Sequence, residues 1–413
     1  MAQTVILHSD LNCFYASVEM MLDPKLKGKA MAVCGSTENR HGIVLAKSYE
    51  AKAKGVKTAM ANWEAQRACP GLICVEPQYD QYLKYSRLVR QIYLRYANDI
   101  EPFGMDESWI ALNGIGNVRK GGLEVAKEIS QAVKDELGLT VSIGVSFSKI
   151  FAKLGSDMKK PEGITVLDED NWKERVWPLP VSELLYVGPA TTKKLMGRNV
   201  LTIGDLAHVD VAFLRSWFGA KGIMLSAFAN GIDTARVCPT DYVAPIKSVG
   251  HGATCVVDLD NEYAVWRVLY ELAQDVGTRL RENDLAARGV ELTVKDKDLG
   301  WRQYQIRLKI TTQNSLEIAQ AAFTLFKARY DWFKPVRALT VRGINLVSDN
   351  MPVQLDLFEN TERRDKTKKL DTAIDEIRRR FGYGSICAAS LMGDKKMAQD
   401  KCETVILPNI MYQ

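Results

Sequence analysis

Three acidic residues, Asp10 and the adjacent pair Asp106-Glu107, are the groups in this sequence best placed to do metal-dependent chemistry. Val5-Ile6-Leu7 reads as a short buried strand with Asp10 at its end. From Phe14 to Met21 the spacing is helical, with Phe14, Val18 and Met21 on one side. A carboxylate where a strand gives way to a helix can hold a metal ion, and the free amides of the helix start can hold phosphate. The plainer alternative is a helix-capping aspartate. Ile100 to Phe103 and Trp109 to Leu112 read as two strands, with Gly104 to Glu107 at their junction. Neighbouring strand side chains point to opposite faces, so Asp106 and Glu107 can share a metal only if the chain turns or bulges there, a bend that Gly104 allows. The plainer alternative is a polar hairpin tip.

The elements that must position these groups come from a chain of 413 residues, 46% hydrophobic and 25% charged, enough for two to four domains with their own cores. A net charge of +5 permits nucleic acid as a partner without demanding it. The eight cysteines are scattered without a CxxC pair and only four histidines accompany them, so neither a zinc site nor a disulfide framework is expected. No apolar run is long enough to cross a bilayer and the first residues lack an export signal, so a cytoplasmic protein with no membrane partner is expected.

Residues 1 to about 166 alternate strand and helix signals, as an open sheet backed by helices would. Tyr49 and Lys52 share one face of a helix that begins near Ser48. Gly144 to Pro161 reads as strand, turn and helix, with Lys149 and Lys153 on one helical side and Lys160 near the helix end. The stretch from Asp168 to about Gly231 is all helical. Asp233 to Pro245 has two prolines and few large apolar residues, the composition of an inter-domain linker. Beyond it comes strand, helix, strand, strand, helix, strand, with Val290-Leu292-Val294 and Ile306-Leu308-Ile310 alternating as half-buried strands. Arg302, Arg307, Lys309, Arg337 and Arg342 are expected on its solvent side. Thr361 to Phe381 is a charged helix with Leu370, Ile374 and Ile377 on one stripe.

Asp10 with Phe14-Tyr15-Ala16-Ser17-Val18-Glu19, and Asp106-Glu107-Ser108, resemble the two carboxylate motifs of Y-family translesion DNA polymerases, the group of the DNA polymerase IV and UmuC types. The likeness continues through Ser48-Tyr49-Glu50-Ala51-Lys52, Gly144-Val145-Ser146 with Lys149, Ala152-Lys153, and Asp157-Met158-Lys159-Lys160-Pro161. The resemblance implies an α+β multidomain fold. A ferredoxin-like palm with small fingers would occupy 1–166, the fingers at about 25–78, and a helical thumb with a helix-hairpin-helix 167–232. A linker would follow at 233–246, a βαββαβ little finger at 247–349, and a clamp-binding peptide and tail at 350–413. It further implies a low-fidelity, template-directed polymerase of the DNA damage response, working near the nucleoid as a monomer.

By the same resemblance, Asp10, Asp106 and Glu107 are catalytic and, with the Leu11 carbonyl, hold two Mg2+ ions. Cys13, Phe14, Tyr15, Tyr49, Lys52 and Lys160 bind the incoming deoxynucleotide, and Tyr15 is the steric gate against a 2′ hydroxyl. The family often has Arg where Lys52 stands, which replaces a bidentate phosphate grip by a point charge. Gly188, Lys193 and Lys194 belong to the hairpin, whose amides would approach a DNA phosphate. Lys247 and Ser248 stand at the entrance of the little finger, and Arg302, Arg307, Arg337 and Arg342 would track primer-template DNA. Gln354-Leu355-Asp356-Leu357-Phe358 resembles the pentapeptide that binds the bacterial sliding clamp, an extended peptide with apolar anchors. Accessory damage-response subunits are a further partner class. Two rival readings are another palm-bearing enzyme such as a nucleotidyl cyclase, which leaves the thumb and little finger without a purpose, and a non-catalytic DNA- or clamp-binding scaffold that retains the fold.

Overall fold

The computed structural model describes residues 5–40, 42–114, 117–351, 361–392 and 397. They form two units. The first runs to Gly35 and resumes over Ile43–Ala244; the second takes in Ser36–Gly42 and the described residues from Pro245 onward. The sequence 354–358 proposed for a clamp lies outside the described residues.

In the first unit, β1 (Val5–Leu11) is buried along its whole length. Val5, Leu7 and Leu11 enter the main core, whereas Ile6 joins Trp109, Ala111, Ala152 and Val237 in a second cluster. Strand alternation therefore puts His8 and Asp10 on the Ile6 face. After α1 (Phe14–Leu22), the strands β2 (Met31–Cys34), β3 (Val44–Lys47) and β4 (Ile73–Val75) form a small sheet in the order β3-β2-β4. Around it lie α2 (Tyr49–Ala53) and α3 (Asn62–Ala68), which add Ala51 and Ala65 to its core. Then come α4 (Tyr79–Tyr93), β5 (Asp99–Phe103), β6 (Glu107–Leu112), α5 (Leu123–Leu137), β7 (Val141–Ser146), α6 (Lys149–Met158) and β8 (Ile164–Leu167). The main sheet has the order β5-β6-β1-β7-β8, antiparallel throughout except for β7 with β8. Tyr82 and Val89 of α4 and Ile129 and Val133 of α5 fill the main core, while α6 packs on β1 and β7. The sequence carrying Asp10 is thus the central strand, directly beside the strand that begins at Glu107.

Five helices follow, as the sequence predicts: α7 (Trp172–Val176), α8 (Pro189–Met196), α9 (Ile203–His208), α10 (Val211–Phe218) and α11 (Ala220–Ala229). Their core joins Phe151 of α6 to Trp172, Leu195, Ile203, Leu214 and Leu225. Residues 232–247 form neither helix nor strand, yet much of this stretch is bonded to the main sheet and α6. Asp233 Oδ2 accepts the Ile150 amide at 3.2 Å, the Cys238 amide donates to Glu101 Oε2 at 2.8 Å, and Val237 is buried. The Thr240 hydroxyl donates to the Asn98 carbonyl at 2.6 Å and accepts the Ile100 amide at 3.0 Å, which satisfies part of the free edge of β5. Glu101 also takes both of its oxygens to Lys149 Nζ at 2.7 and 2.6 Å, and that ammonium lies 4.3 Å from the centre of the Trp109 ring.

The second unit has the expected βαββαβ order: β9 (Ser248–Leu259), α12 (Glu262–Glu282), β10 (Leu285–Asp296), β11 (Trp301–Thr312), α13 (Ser315–Arg329) and β12 (Val336–Ser348). Its antiparallel sheet is ordered β11-β10-β12-β9. Val290, Leu292, Val294, Leu339 and Val341 meet α12 and α13 in one core. Of the basic residues expected on its solvent side, Arg302, Arg307 and Lys309 are exposed and Arg337 and Arg342 are half-buried. Arg302 has the parity of Tyr304, Ile306 and Leu308, which face that core, and it pairs with Asp331 at 3.4 Å at the strand end, away from the face of Arg307 and Lys309. Arg337 is the residue skipped where β12 shifts register between Val336 and Ala338, so alternation assigns it no face.

The helix α14 (Thr361–Phe381) forms where predicted, with Ile374 and Ile377 of its apolar stripe half-buried. Leu370 is 57% exposed. Arg281 of α12 takes Asp375 at 2.6 Å and Asp371 at 3.3 Å, Arg364 takes Glu317 at 3.1 Å, and Arg378 takes the Gln274 oxygen at 2.6 Å. Replacing Arg281 by alanine leaves Asp371 and Asp375 without their main counter-charge. Arg281→Ala is expected to open the basic residues of α14 to trypsin while the first unit melts as before, read by mass spectrometry of timed digests; an unchanged digest would rule out charge as the force that docks the helix.

Candidate active site at the end of the central strand

Asp10 and Glu107 are cross-strand partners in the β1–β6 register, so their side chains rise on one face at one end of the sheet. Asp106 is not a strand residue. Gly104 sits at φ +87°, a left-handed turn that a side chain would strain, and β6 starts only at Glu107. The turn is locked to the central strand by the Leu11 amide, which donates to the Asp106 carbonyl at 3.0 Å. The bend that Asp106 and Glu107 needed in order to act together is therefore present.

Burial, together with the charge of Glu107, pushes Asp106 up to about 6. Asp10 is also driven up, first by burial and then by Glu107, against the pull of Lys160 and Lys153. Burial works to raise Glu107 as well, but the close His8 ring and the Lys153 ammonium outweigh it and hold this carboxyl below its usual range. Three acids this close resist full ionisation unless cations join them.

Two cations of the chain already do. Lys160 Nζ lies 2.7 Å from Asp10 Oδ2, and Lys153 Nζ lies 3.0 Å from Glu107 Oε1 and 3.6 Å from Asp10 Oδ2. Behind Glu107, fully buried His8 puts Nε2 at 3.4 Å from Oε2 and Nδ1 at 2.8 Å from the Ser156 hydroxyl. Hard oxygen donors so arranged suit a magnesium-like cation, which takes one or two carboxylates and fills its remaining positions with water and substrate phosphate. Among the described residues no three His, Cys, Asp or Glu side chains converge on one point. The donors thus fit a site whose shell water and substrate phosphate would complete.

Next to the carboxylates, Cys13 adopts φ 49° and α1 begins with no side-chain cap and no acidic residue in its first turn. Its first amides are left for an anion. Phe14 is buried in the main core, and the Asn12 side chain is bonded to Thr140, Ser142 and Tyr49 instead of facing the carboxylates. Tyr49 is partly buried, and the exposed Lys52 holds its ammonium 5.7 Å from the Tyr49 ring centre. Tyr15 stacks on Tyr82 at 4.2 Å and 9°, with Tyr79 edge-on at 6.1 Å. The buried Glu19 carboxylate fixes Tyr82 by accepting its hydroxyl, and it accepts the Gln78 amide at 2.8 Å. The i, i+4 spacing of Tyr15 and Glu19 was the available clue to this support.

A family model described as the impB/mucB/samB family matches residues 9–157, and one for the C-terminal domain of that family matches residues 246–357. The chain is 46% identical over 391 residues to a DNA polymerase IV of Acetivibrio thermocellus, an alignment that spans 95% of this chain and 98% of that protein. The chain belongs to the impB/mucB/samB family of Y-family DNA polymerases. A DNA polymerase IV 1 of Bacillus subtilis is 38% identical over 92% of this chain and 91% of its own length. In fold, a solved Y-family DNA polymerase chimera superposes with a TM-score of 0.74 at 22% identity, over 83% of this chain and 99% of that one.

The residues this Y-family chain was expected to turn towards DNA are differently placed. Gly188 caps α8 with open space where a Cβ would be, and the left-handed residue of its turn is Tyr186 at φ 69°. Lys193 is exposed, but Lys194 is spent on the Trp217 carbonyl and lies 4.8 Å from the Phe218 ring centre. Lys247 is exposed and Ser248 opens β9. Arg307 and Lys309 are exposed on β11, whereas Arg342 lies against Glu291 at 3.7 Å. No described helix is long and apolar enough to cross a membrane.

Proposed function

We propose that this chain extends a DNA primer by template-directed addition of deoxynucleotides, opposite damaged as well as intact bases, with two Mg2+ ions as cofactors. What supports this reading is the cross-strand pairing of Asp10 with Glu107 at one end of the central sheet, with Asp106 in the adjoining turn, in a chain alike in sequence to DNA polymerase IV over nearly its whole length. The domain reading that goes with it is palm and fingers over 1–166, thumb over 167–232, linker over 233–246 and little finger over 247–349. Residues 354–358 are the proposed contact with a sliding clamp.

The primer 3′ oxygen forms a bond to the α-phosphorus of the nucleotide, the bond from that phosphorus to the bridging oxygen breaks, and pyrophosphate leaves. Divalent ions, when bound, acidify the attacking hydroxyl and offset the charge that gathers on the phosphate oxygens. The oxygens of Asp10, Asp106 and Glu107 and the Leu11 carbonyl hold them. The uncapped amides of α1, with Tyr49, Lys52 and Lys160, bind the β and γ phosphates, and no side chain acts as a covalent nucleophile. Exposed Lys193, Lys247, Arg307 and Lys309 serve the DNA backbone. Primer extension with Mg2+ on templates with and without a defined lesion tests the reading, and a chain that extends neither would refute it.

Tyr15, wedged against Tyr82 and Tyr79, is the proposed sugar gate. Removing the ring admits a 2′ hydroxyl without touching the carboxylates. Tyr15→Ala is expected to raise ribonucleotide incorporation relative to deoxynucleotide by about a hundredfold, a loss of ~2.7 kcal/mol of discrimination. Unchanged sugar selectivity in paired kcat/KM measurements would remove Tyr15 from this role.

A further inference from the structure

We infer that Asp157 is the positioning residue for Lys160, holding its ammonium towards the nucleotide phosphates when Asp10 is taken up by cations. The inference rests on the nucleotide-binding reading of Lys160. Lys160 stands just past the end of α6, and its side chain turns back over the last turn of that helix. Two carboxylates fix it instead, Asp10 Oδ2 at 2.7 Å and Asp157 Oδ1 at 2.8 Å. The second oxygen of Asp157 takes Lys153 at 2.9 Å, and Lys153 passes on to Glu107 at 3.0 Å. Asp157 is thus the one carboxylate in this cluster that both lysines share and that the proposed cation site does not use.

The helix itself accounts for that placement only through the i, i+4 pair with Lys153. Asp157 lies in the last turn of α6, where the helix dipole disfavours a negative charge. In the cluster the charge is needed: once Asp10 and Glu107 turn their oxygens to cations, Asp157 is the partner left to the two ammoniums. Without it Lys160 has only Asp10, and it either competes with the cations for that carboxylate or swings into water. Both outcomes weaken the grip on the β and γ phosphates.

The test is a cycle of Asp157→Asn and Lys160→Ala, read as deoxynucleotide KM and kcat in primer extension and as nucleotide Kd on a dideoxy-terminated primer-template. Asp157→Asn is expected to raise KM and Kd about tenfold, with kcat within about threefold and melting unchanged or raised. Asp157→Glu should restore most of the loss. In the Lys160→Ala background the second change should add less than about twofold. An unaltered KM in Asp157→Asn, or a full tenfold rise that persists without Lys160, overturns the assignment while leaving the nucleotide site intact. If Lys160→Ala alone leaves KM and Kd unchanged, the role of Lys160 and this inference fall together, and lost melting cooperativity that Asp157→Glu fails to repair assigns Asp157 to folding.

Discussion

Asp106→Asn will abolish primer extension, by at least about a thousandfold or ~4 kcal/mol of transition-state stabilisation, and will make the metal-free chain more stable. The two effects have one cause. Burial and the charge of Glu107 raise Asp106 from 3.8 to about 6, so the ionised form is disfavoured in the folded, cation-free state. The stabilisation of the protonated acid is fully present below the unfolded value near 4 and is lost as pH rises through about 6. A shift of this size sets a ceiling of about 3 kcal/mol, and about 1–2 kcal/mol is expected after relaxation and solvent access. In EDTA at pH 7.5 the transition of the first unit should therefore rise by roughly 3–6 °C in Asp106→Asn, with little difference from the parent at pH 4. Added Mg2+ should raise the parent's transition and leave the variant's nearly unmoved. An inactive variant that melts below the parent at pH 7.5 would mean that Asp106 serves the fold instead of a cation.

Much of this was legible because the signals are local. The runs Val5-Ile6-Leu7 and Val290-Leu292-Val294 announce strands by their own spacing, and the helix α14 is found at its predicted bounds. The carboxylates were legible because a strand end and a glycine turn each leave a mark in sequence. What was not legible depends on pairing over long separations. That His8 backs Glu107 and Lys153 spans Glu107 and Asp157 requires knowing that β1 lies between β6 and β7 with α6 across it. The bonds that tie 233–240 to the main sheet and α6 come from Glu101, Ile150, Asn98 and Ile100, residues far away in the chain, where composition alone read a linker. The docking of α14 was not legible for the same reason: its ion pairs go to Arg281 and Glu317, residues distant in the chain.

Gly144→Ala is expected to cost the first unit about 3 kcal/mol or more and to lower turnover at least about a hundredfold, although it adds only one methyl group. A Cβ at Gly144 would lie 1.9 Å from the Ala152 carbonyl oxygen and 2.6 Å from the Ser156 amide. Both are backbone atoms of α6, so no side chain can rotate away, and the helix must lift from the sheet by about 1.5 Å to reach ordinary contact. Lys153, Asp157 and the Ser156 hydroxyl ride on that helix, and Lys160 follows it, so the cationic side of the site would move away from Asp10 and Glu107 as a body. Gly155 supplies the graded comparison. Its Cβ would meet the Gly144 Cα at 3.2 Å, the Thr165 carbonyl at 3.4 Å and Leu167 Cδ1 at 3.7 Å, so Gly155→Ala should show a smaller loss in both melting and turnover. Should Gly144→Ala melt and turn over like the parent, the close seat of α6 on the central sheet would not be what holds the two halves of the site in register.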